Sequence, residues 1–334
     1  MNFSKTKNKI KQMVEDQSIP GASFSFITGM NVESDEVGLK QVEPSEQPVG
    51  PNDVYDIASL TKVVGTLPVV MRLLQDGRIH LDDSVSDYLP EWQYPEVTIR
   101  HLLTHTSGIE GYIPNRNEMN INQLREALLG LHVGDNFDKK MKYADVNYIF
   151  LGWIAGLVMG IPIQPLITQM VLNPLGLNET TFHPDAQRSV PTTYNEKTGT
   201  NLQGKVHDPK AQILGDDCGS AGMFSTLNDL SRFAQWMLQI NDRSNIFNNE
   251  TFDELYTDQT PMGDGTRSFG WALADYDDNP YIWQSGYTGV VMVLVRERKS
   301  GFVFLSNRVH PQLREHFMED RNDLINTYLD ELFN

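Results

Sequence analysis

Strand-like segments stand at both ends of this chain and helix-like segments fill its middle, an order that restricts the possible folds severely. Near the start, Ala22-Ser23-Phe24-Ser25-Phe26-Ile27 alternates with period two. Gly29 and the acidic run Glu33-Ser34-Asp35-Glu36 then predict a hairpin turn. Toward the other end, residues 269–273, 281–283, 290–295 and 302–305 predict four strands of an antiparallel meander. Phe3, Ile10, Met13 and Val14 mark one face of a first amphipathic helix, and residues 311–332 have the pattern of a last one. Helices from the two termini can then cover one face of a shared sheet.

Between these ends, residues 100–105, 122–131, 148–159 and 226–240 carry helical periodicity, the last opening on the cap-like Thr226-x-x-Asp229. The expected architecture is α+β: one domain over residues 1–334, with an α/β lobe of about 1–58 and 265–334 and an inserted all-helical lobe of about 59–264. A cleft between the lobes is the expected place for a site.

At 40% hydrophobic and 10% aromatic residues over 334 positions, the chain can bury a substantial core. A formal charge of −17 argues against nucleic acid and anionic membrane surfaces as partners and leaves small molecules. Cys218 is the single cysteine, so no internal disulfide and no cysteine-rich metal site can form. Lys5, Lys7, Lys9 and Lys11 are followed by Glu15 and Asp16 instead of an apolar core, and no apolar run has the length of a membrane span. As written, the chain is expected in the cytoplasm, with export of a longer precursor left open; nothing in it sets an oligomeric state.

Ser59-Leu60-Thr61-Lys62 carries the chemistry. Residues three apart share a helix face, so a Lys at that spacing reaches back to the Ser hydroxyl and can serve as its base. The apolar spacing after it predicts a helix, which places Ser59 near a helix N-terminus, where developing negative charge is favoured.

Three further segments follow in order: residues 99–109 (Ile-Arg-His-Leu-Leu-Thr-His-Thr-Ser-Gly-Ile), Tyr143-Ala144-Asp145, and Gln284-Ser285-Gly286-Tyr287. With Ser59-x-x-Lys62 they resemble the class C β-lactamase, D-alanyl-D-alanine carboxypeptidase and esterase group of penicillin-recognising serine hydrolases, over nearly the whole chain. The resemblance implies a β-lactamase/transpeptidase-like fold and no cofactor. It also implies that Ser59 is the acyl-accepting nucleophile, that Lys62 helps deprotonate it, and that Tyr143 passes the proton to the leaving group. The backbone N–H groups of Ser59 and Tyr287 would form the oxyanion hole, with Gly286 admitting the substrate closely.

Two positions depart from the family. Asp145 stands where the group more often has Asn; a carboxylate there only accepts hydrogen bonds and would pair with Lys62. Gln284 replaces a Lys or His that would bind a substrate carboxylate, so Gln284→Lys is expected to improve acylation by penicillins. Lys197-Thr198-Gly199 spells the superfamily triad, but no strand is evident beside it and it is read as a surface turn. Asp145, Gln284, Ser285, Gly286 and Tyr287 are therefore the expected substrate-binding residues.

His101 and His105 lack the Glu of a zinc-binding helix and are expected beneath the cleft, with no metal. His207, Asp208, Asp216 and Asp217 are expected to order loops, since no Gly-x-Ser-x-Gly elbow is present. These features predict a serine hydrolase for an ester, amide or peptidoglycan-like small molecule, an esterase or D-amino-acid ester or amide hydrolase with weak β-lactam reactivity. The alternatives are a β-lactamase or D,D-carboxypeptidase, and a non-catalytic ligand-binding or assembly relative.

Overall fold

The computed structural model of the chain describes residues 2–240, 246–314 and 316–334; Met1, residues 241–245 and Glu315 lie outside them. Seven strands form one antiparallel sheet: β1 (Gly21–Thr28), β2 (Asn31–Gln41), β3 (Gln47–Pro48), β4 (Ala272–Tyr276), β5 (Asn279–Gly286), β6 (Val290–Val295) and β7 (Ser300–Ser306). Their spatial order is β4-β5-β6-β7-β1-β2-β3. The two ends of the chain join where β1 pairs with β7, from Ala22 opposite Ser306 to Thr28 opposite Ser300.

The period of two in β1 separates two cores. Phe24 and Phe26 face the terminal helices α1 (Ser4–Glu15) and α8 (Phe317–Phe333), joined by Val291, Val293, Phe302 and Phe304. Ring stacking runs through this layer, with Phe3 and Phe26 centroids 4.5 Å apart and Phe302 and Tyr328 at 5.2 Å. Each such aromatic contributes about 1.5–3 kcal/mol by burial. The opposite face of β1 carries Ser23 and Ser25, whose hydroxyls reach Tyr55 Oη at 3.0 Å and, in the helical lobe, Ser231 Oγ at 2.8 Å. Around them Ile27, Met292, Leu294, Val303 and Leu305 pack into the larger core.

Three local expectations shift. Thr28 pairs with Asn31, so the hairpin turns at Gly29-Met30 and the run Glu33–Glu36 lies inside β2. Those acidic side chains sit on the exposed part of an outer strand, where Glu33 pairs with Lys7 of α1. The strand expected at 269–273 begins at Ala272 because Phe269 and Trp271 are fully buried plugs on either side of Gly270, whose φ is +78°. The last helix starts at Phe317, six residues beyond Pro311.

The helical lobe contains α2 (Leu67–Gln75), α3 (Ile99–Thr104), α4 (Ile121–Leu129), α5 (Asp145–Met159), α6 (Pro209–Leu214) and α7 (Leu227–Met237). Helix α5 is apolar all round because it is enclosed by protein: Tyr148, Ile149, Phe150, Leu151 and Ile154 are buried. Among the described residues no single helix is long and apolar enough to cross a membrane.

Candidate active site

Ser59 lies one residue ahead of the helical turn that leads through a π-helical segment, Lys62–Thr66, into α2. The residue before it, Ala58, is held at φ +45°, a conformation that costs an L-residue about 1 kcal/mol or more and is kept by its surroundings. The buried Asp56 carboxylate does the holding: it accepts from Ala58 N at 2.8 Å and from His207 N at 2.7 Å. Burial pushes this carboxyl up to about 6, against the two N–H bonds that favour its ionised form.

The end of β5 packs directly on the same turn. A Cβ at Gly286 would lie 2.6 Å from Ile57 O, 2.6 Å from Val290 Cγ2 and 3.1 Å from Ala58 Cβ. The glycine is therefore required by contact with the protein's own backbone, where the sequence suggested an approach by substrate.

Lys62 is 1% exposed and its Nζ donates to Ser59 Oγ at 2.9 Å and to Ser220 O at 2.9 Å, with Asp145 Oδ1 at 2.8 Å. Three acceptors use all three protons of an ammonium. Burial lowers the proton affinity of Lys62, but the Asp145 carboxylate and Tyr143 outweigh it and hold the group above the ordinary lysine value. In this resting arrangement Lys62 carries its proton and donates to Ser59, as the expected pairing with the Asp145 carboxylate implies.

Tyr143 is 39% exposed and turns its ring to two cations, Lys62 Nζ at 5.1 Å and Arg267 Cζ at 5.4 Å from the ring centroid. Its phenolic oxygen accepts from Gln284 Nε2 at 3.3 Å, and Gln284 Oε1 accepts from Arg267 at 3.4 Å. Gln284 thus links phenol and guanidinium. His105 stacks beneath Tyr143 with centroids 4.4 Å apart; burial and the charges of Arg267 and Lys62 push it well below the usual imidazole value, so it is neutral.

Asp145 heads α5 and is shared by two lysines: Oδ1 faces Lys62 and Oδ2 faces Lys210 Nζ at 3.1 Å. Despite burial, those two ammonium groups hold its carboxyl far below the usual range. Lys210 in turn meets Asp208 Oδ2 at 2.8 Å, while Asp208 Oδ1 caps α6 by accepting from Lys210 N and Ala211 N. Asp208 therefore does more than order a loop.

Ser59, Tyr143, Asp145, Gln284, Ser285, Gly286 and Tyr287 all line one cavity of about 670 Å³. The same wall carries Lys210, from the segment Val206–Ala211 that also resembles the group, and Arg116, Arg267, Arg308 and Arg321, basic residues that no motif marked. Arg308 Nε donates to Tyr287 O at 2.7 Å, and Arg321 donates to Ser285 Oγ at 3.0 Å. Their guanidinium groups lie 5.0 Å from the ring centroids of Tyr287 and Trp283. No carboxylate of a described residue pairs with either arginine. Their burial, 7% exposed each, also separates them from ordinary surface cations. An adjoining cavity of about 620 Å³ shares Arg116, Asp145 and Lys210.

The remaining candidates fall elsewhere. Lys197-Thr198-Gly199 is an exposed turn, but two short strands, Tyr194–Asn195 and Thr200–Asn201, do flank it. Asp216 and Asp217 form a separate turn, Gly215–Asp217, and line no part of the 670 Å³ cavity. Cys218 is fully buried, and burial raises its thiol. Among the described residues no group of three or more His, Cys, Asp or Glu side chains is placed to hold a metal ion.

A helix-borne Ser–Lys contact, a tyrosine over it and a strand edge opposite define a serine hydrolase of the β-lactamase/transpeptidase-like fold. The chain belongs to the Beta-lactamase family, whose sequence model matches residues 6–326. It is 28% identical over 336 residues to a putative D-alanyl-D-alanine carboxypeptidase of Escherichia coli (strain K12), covering 85% of this chain and 77% of that protein. Its fold is similar to that of a class C β-lactamase in complex with cefoxitin (TM-score 0.77, 20% identity, 99% of this chain and 100% of the other). It is also similar in fold to EstCE1, a hydrolase with promiscuous acyltransferase activity (TM-score 0.77, 17% identity, 97% and 98%).

Proposed function

We propose that the protein cleaves an ester or amide through an acyl-enzyme on Ser59. The observation that carries this reading is the 2.9 Å contact from Lys62 Nζ to Ser59 Oγ inside an open cavity that Tyr143 also lines. The Ser59 oxygen attacks the carbonyl carbon, the bond to the leaving alcohol or amine breaks, and the serine proton passes by way of Tyr143 to that leaving group. Water then attacks the acyl carbon, the acid departs, and Ser59 regains its proton. The Lys62 ammonium stabilises the developing alkoxide, and the amides of Ser59 and Tyr287 receive the carbonyl oxygen.

The leading substrate reading is an esterase or a D-amino-acid ester or amide hydrolase with weak β-lactam reactivity. A second reading, β-lactamase or D,D-carboxypeptidase, is favoured by Arg308 and Arg321, which bring back to the cavity wall the positive charge that Gln284 lacks. The intact Ser59–Lys62 contact argues against a relative that has lost its chemistry.

The test compares the native protein and Ser59→Ala on p-nitrophenyl butyrate and a fluorescent penicillin. Ester turnover is expected in the native protein and absent in Ser59→Ala; equal rates remove the hydrolase reading. Under the second reading Arg321→Gln lowers penicillin acylation about tenfold relative to ester turnover, the worth of one charge-assisted hydrogen bond. An unchanged ratio removes that reading alone.

A further inference from the structure

We propose that Lys210 is a positioning residue for the reaction: it takes half of the Asp145 carboxylate and so limits how firmly Asp145 holds the proton on the Ser59–Lys62–Tyr143 group. This rests on the reading of Ser59 as an acylated nucleophile.

Four charges alternate in a row that runs from the cavity wall to the buried Lys62. Asp208, Lys210, Asp145 and Lys62 are joined by contacts of 2.8, 3.1 and 2.8 Å, and they come from three places in the fold, Asp208 and Lys210 sharing one turn. Lys62 stands inside the helical lobe, Asp145 at the head of α5, and Lys210 at the first turn of α6, beside the Asp208 that caps it. Lys210 is 9% exposed, too enclosed for a solvated surface lysine, and Asp208 is fixed by two backbone N–H bonds. The arrangement holds Lys210 against Asp145.

An Asp145 bound to Lys62 alone would clamp the ammonium on its third proton, since Ser59 Oγ and Ser220 O take the other two. The second cation draws on the opposite carboxylate oxygen and adds a positive charge that opposes protonation nearby. The groups that face Lys62 are otherwise Tyr143 and, from beneath, the neutral His105 and the buried Tyr148, with Arg267 across the Tyr143 ring. Among them Asp145 is the anion, and Lys210 is the residue that shares it.

The experiment is the pH dependence of kcat/KM for p-nitrophenyl butyrate, measured on the native protein, Lys210→Gln, Lys210→Arg, Asp145→Asn and Asp145→Asn/Lys210→Gln, with thermal melts to establish folding. Removing the Lys210 charge raises the proton affinity of the Ser59–Lys62–Tyr143 group, so the pH of half-maximal rate moves up by about one unit, a roughly tenfold loss on the rising limb. Asp145→Asn moves it down, the double variant stays close to the Asp145→Asn midpoint because no carboxylate is left for Lys210 to share, and Lys210→Arg keeps the native one. A purely structural lysine would lower the rate without moving the midpoint, and that result overturns the proposal. Equal shifts from Lys210→Gln with and without Asp145 overturn it too, because the effect would not pass through the carboxylate. Absence of turnover in the native protein removes the reaction itself, and Lys210's part in it; turnover with an unmoved midpoint removes Lys210's part alone.

Discussion

Gly286→Ala tests how closely the turn that carries Ser59, the proposed nucleophile, is coupled to β5. The added methyl group would lie 2.6 Å from Ile57 O and 2.6 Å from Val290 Cγ2, with Ala58 Cβ at 3.1 Å. Ordinary contact begins near 3.4 Å, so β5 and the turn before Ser59 must separate by several tenths of an ångström. One of the obstructing atoms is backbone, in a turn pinned by Asp56, and cannot rotate away. Overpacking of this kind costs about 1–3 kcal/mol. In a chain of this size that lowers Tm by a few degrees. The larger effect falls on rate: moving the strand from the serine by a sizeable fraction of an ångström is expected to reduce kcat by about 10-fold or more, since a displacement of about 1 Å costs about 100-fold. Differential scanning fluorimetry and ester kinetics measure both. Gly130→Ala serves as control, because its nearest obstacle lies at 3.4 Å, and it should leave Tm and kcat close to native. A Gly286→Ala protein with native kcat and Tm would refute the reasoning, showing that strand and nucleophile turn move independently.

Two other outcomes follow from the site's electrostatics. Gln284→Lys places an ammonium beside the buried Arg267 guanidinium, which Gln284 Oε1 now contacts at 3.4 Å. The variant is therefore expected to lose about 1–3 kcal/mol of stability and to gain no penicillin acylation, the reverse of what the motif alone suggests. Faster acylation by a fluorescent penicillin with an unchanged Tm would show that the two cations do not crowd one another. Asp56 supplies a pH test: its folded value of about 6 exceeds the ordinary carboxylate value of 3.8, so the folded state binds this proton more tightly. Its contribution to stability then falls as pH rises from about 4 to about 6, by up to about 3 kcal/mol. The Tm of the native protein minus that of Asp56→Asn should be larger at pH 4.5 than at pH 7; a pH-independent difference contradicts the assignment.

Much of this fold could be read before any contact was known. The alternation in Ala22–Ile27 marked β1 because a strand with two different faces repeats every two residues, and the run at 148–159 marked α5 by its length and apolar content. The acidic run at Glu33–Glu36 misled, since exposed strand and turn favour the same polar residues, and only pairing partners separate them. Phe269 and Trp271 misled in the opposite sense: aromatic residues suit strands, yet here they fill the core beside a left-handed glycine.

Ser59, Lys62 and Tyr143 were legible because a helix turn places residues three apart on one face and because their order along the chain resembles a family pattern. Arg267, Arg308 and Arg321 were not, since basic residues occur over the whole surface of any such protein, and Lys210 was marked only as part of a family-like segment, without its pairing with Asp145. Their distinction arises from burial and from the absence of a described carboxylate beside the two arginines, properties of contacts between segments remote in the chain. The contact between Ser59 and Lys62 follows from local geometry that adjacent residues impose on one another. The protonation of that pair, the occupancy of Asp145 by two lysines and the charge of the cavity wall depend on long-range packing, because a charge responds to every group within several ångströms, whatever its place in the sequence.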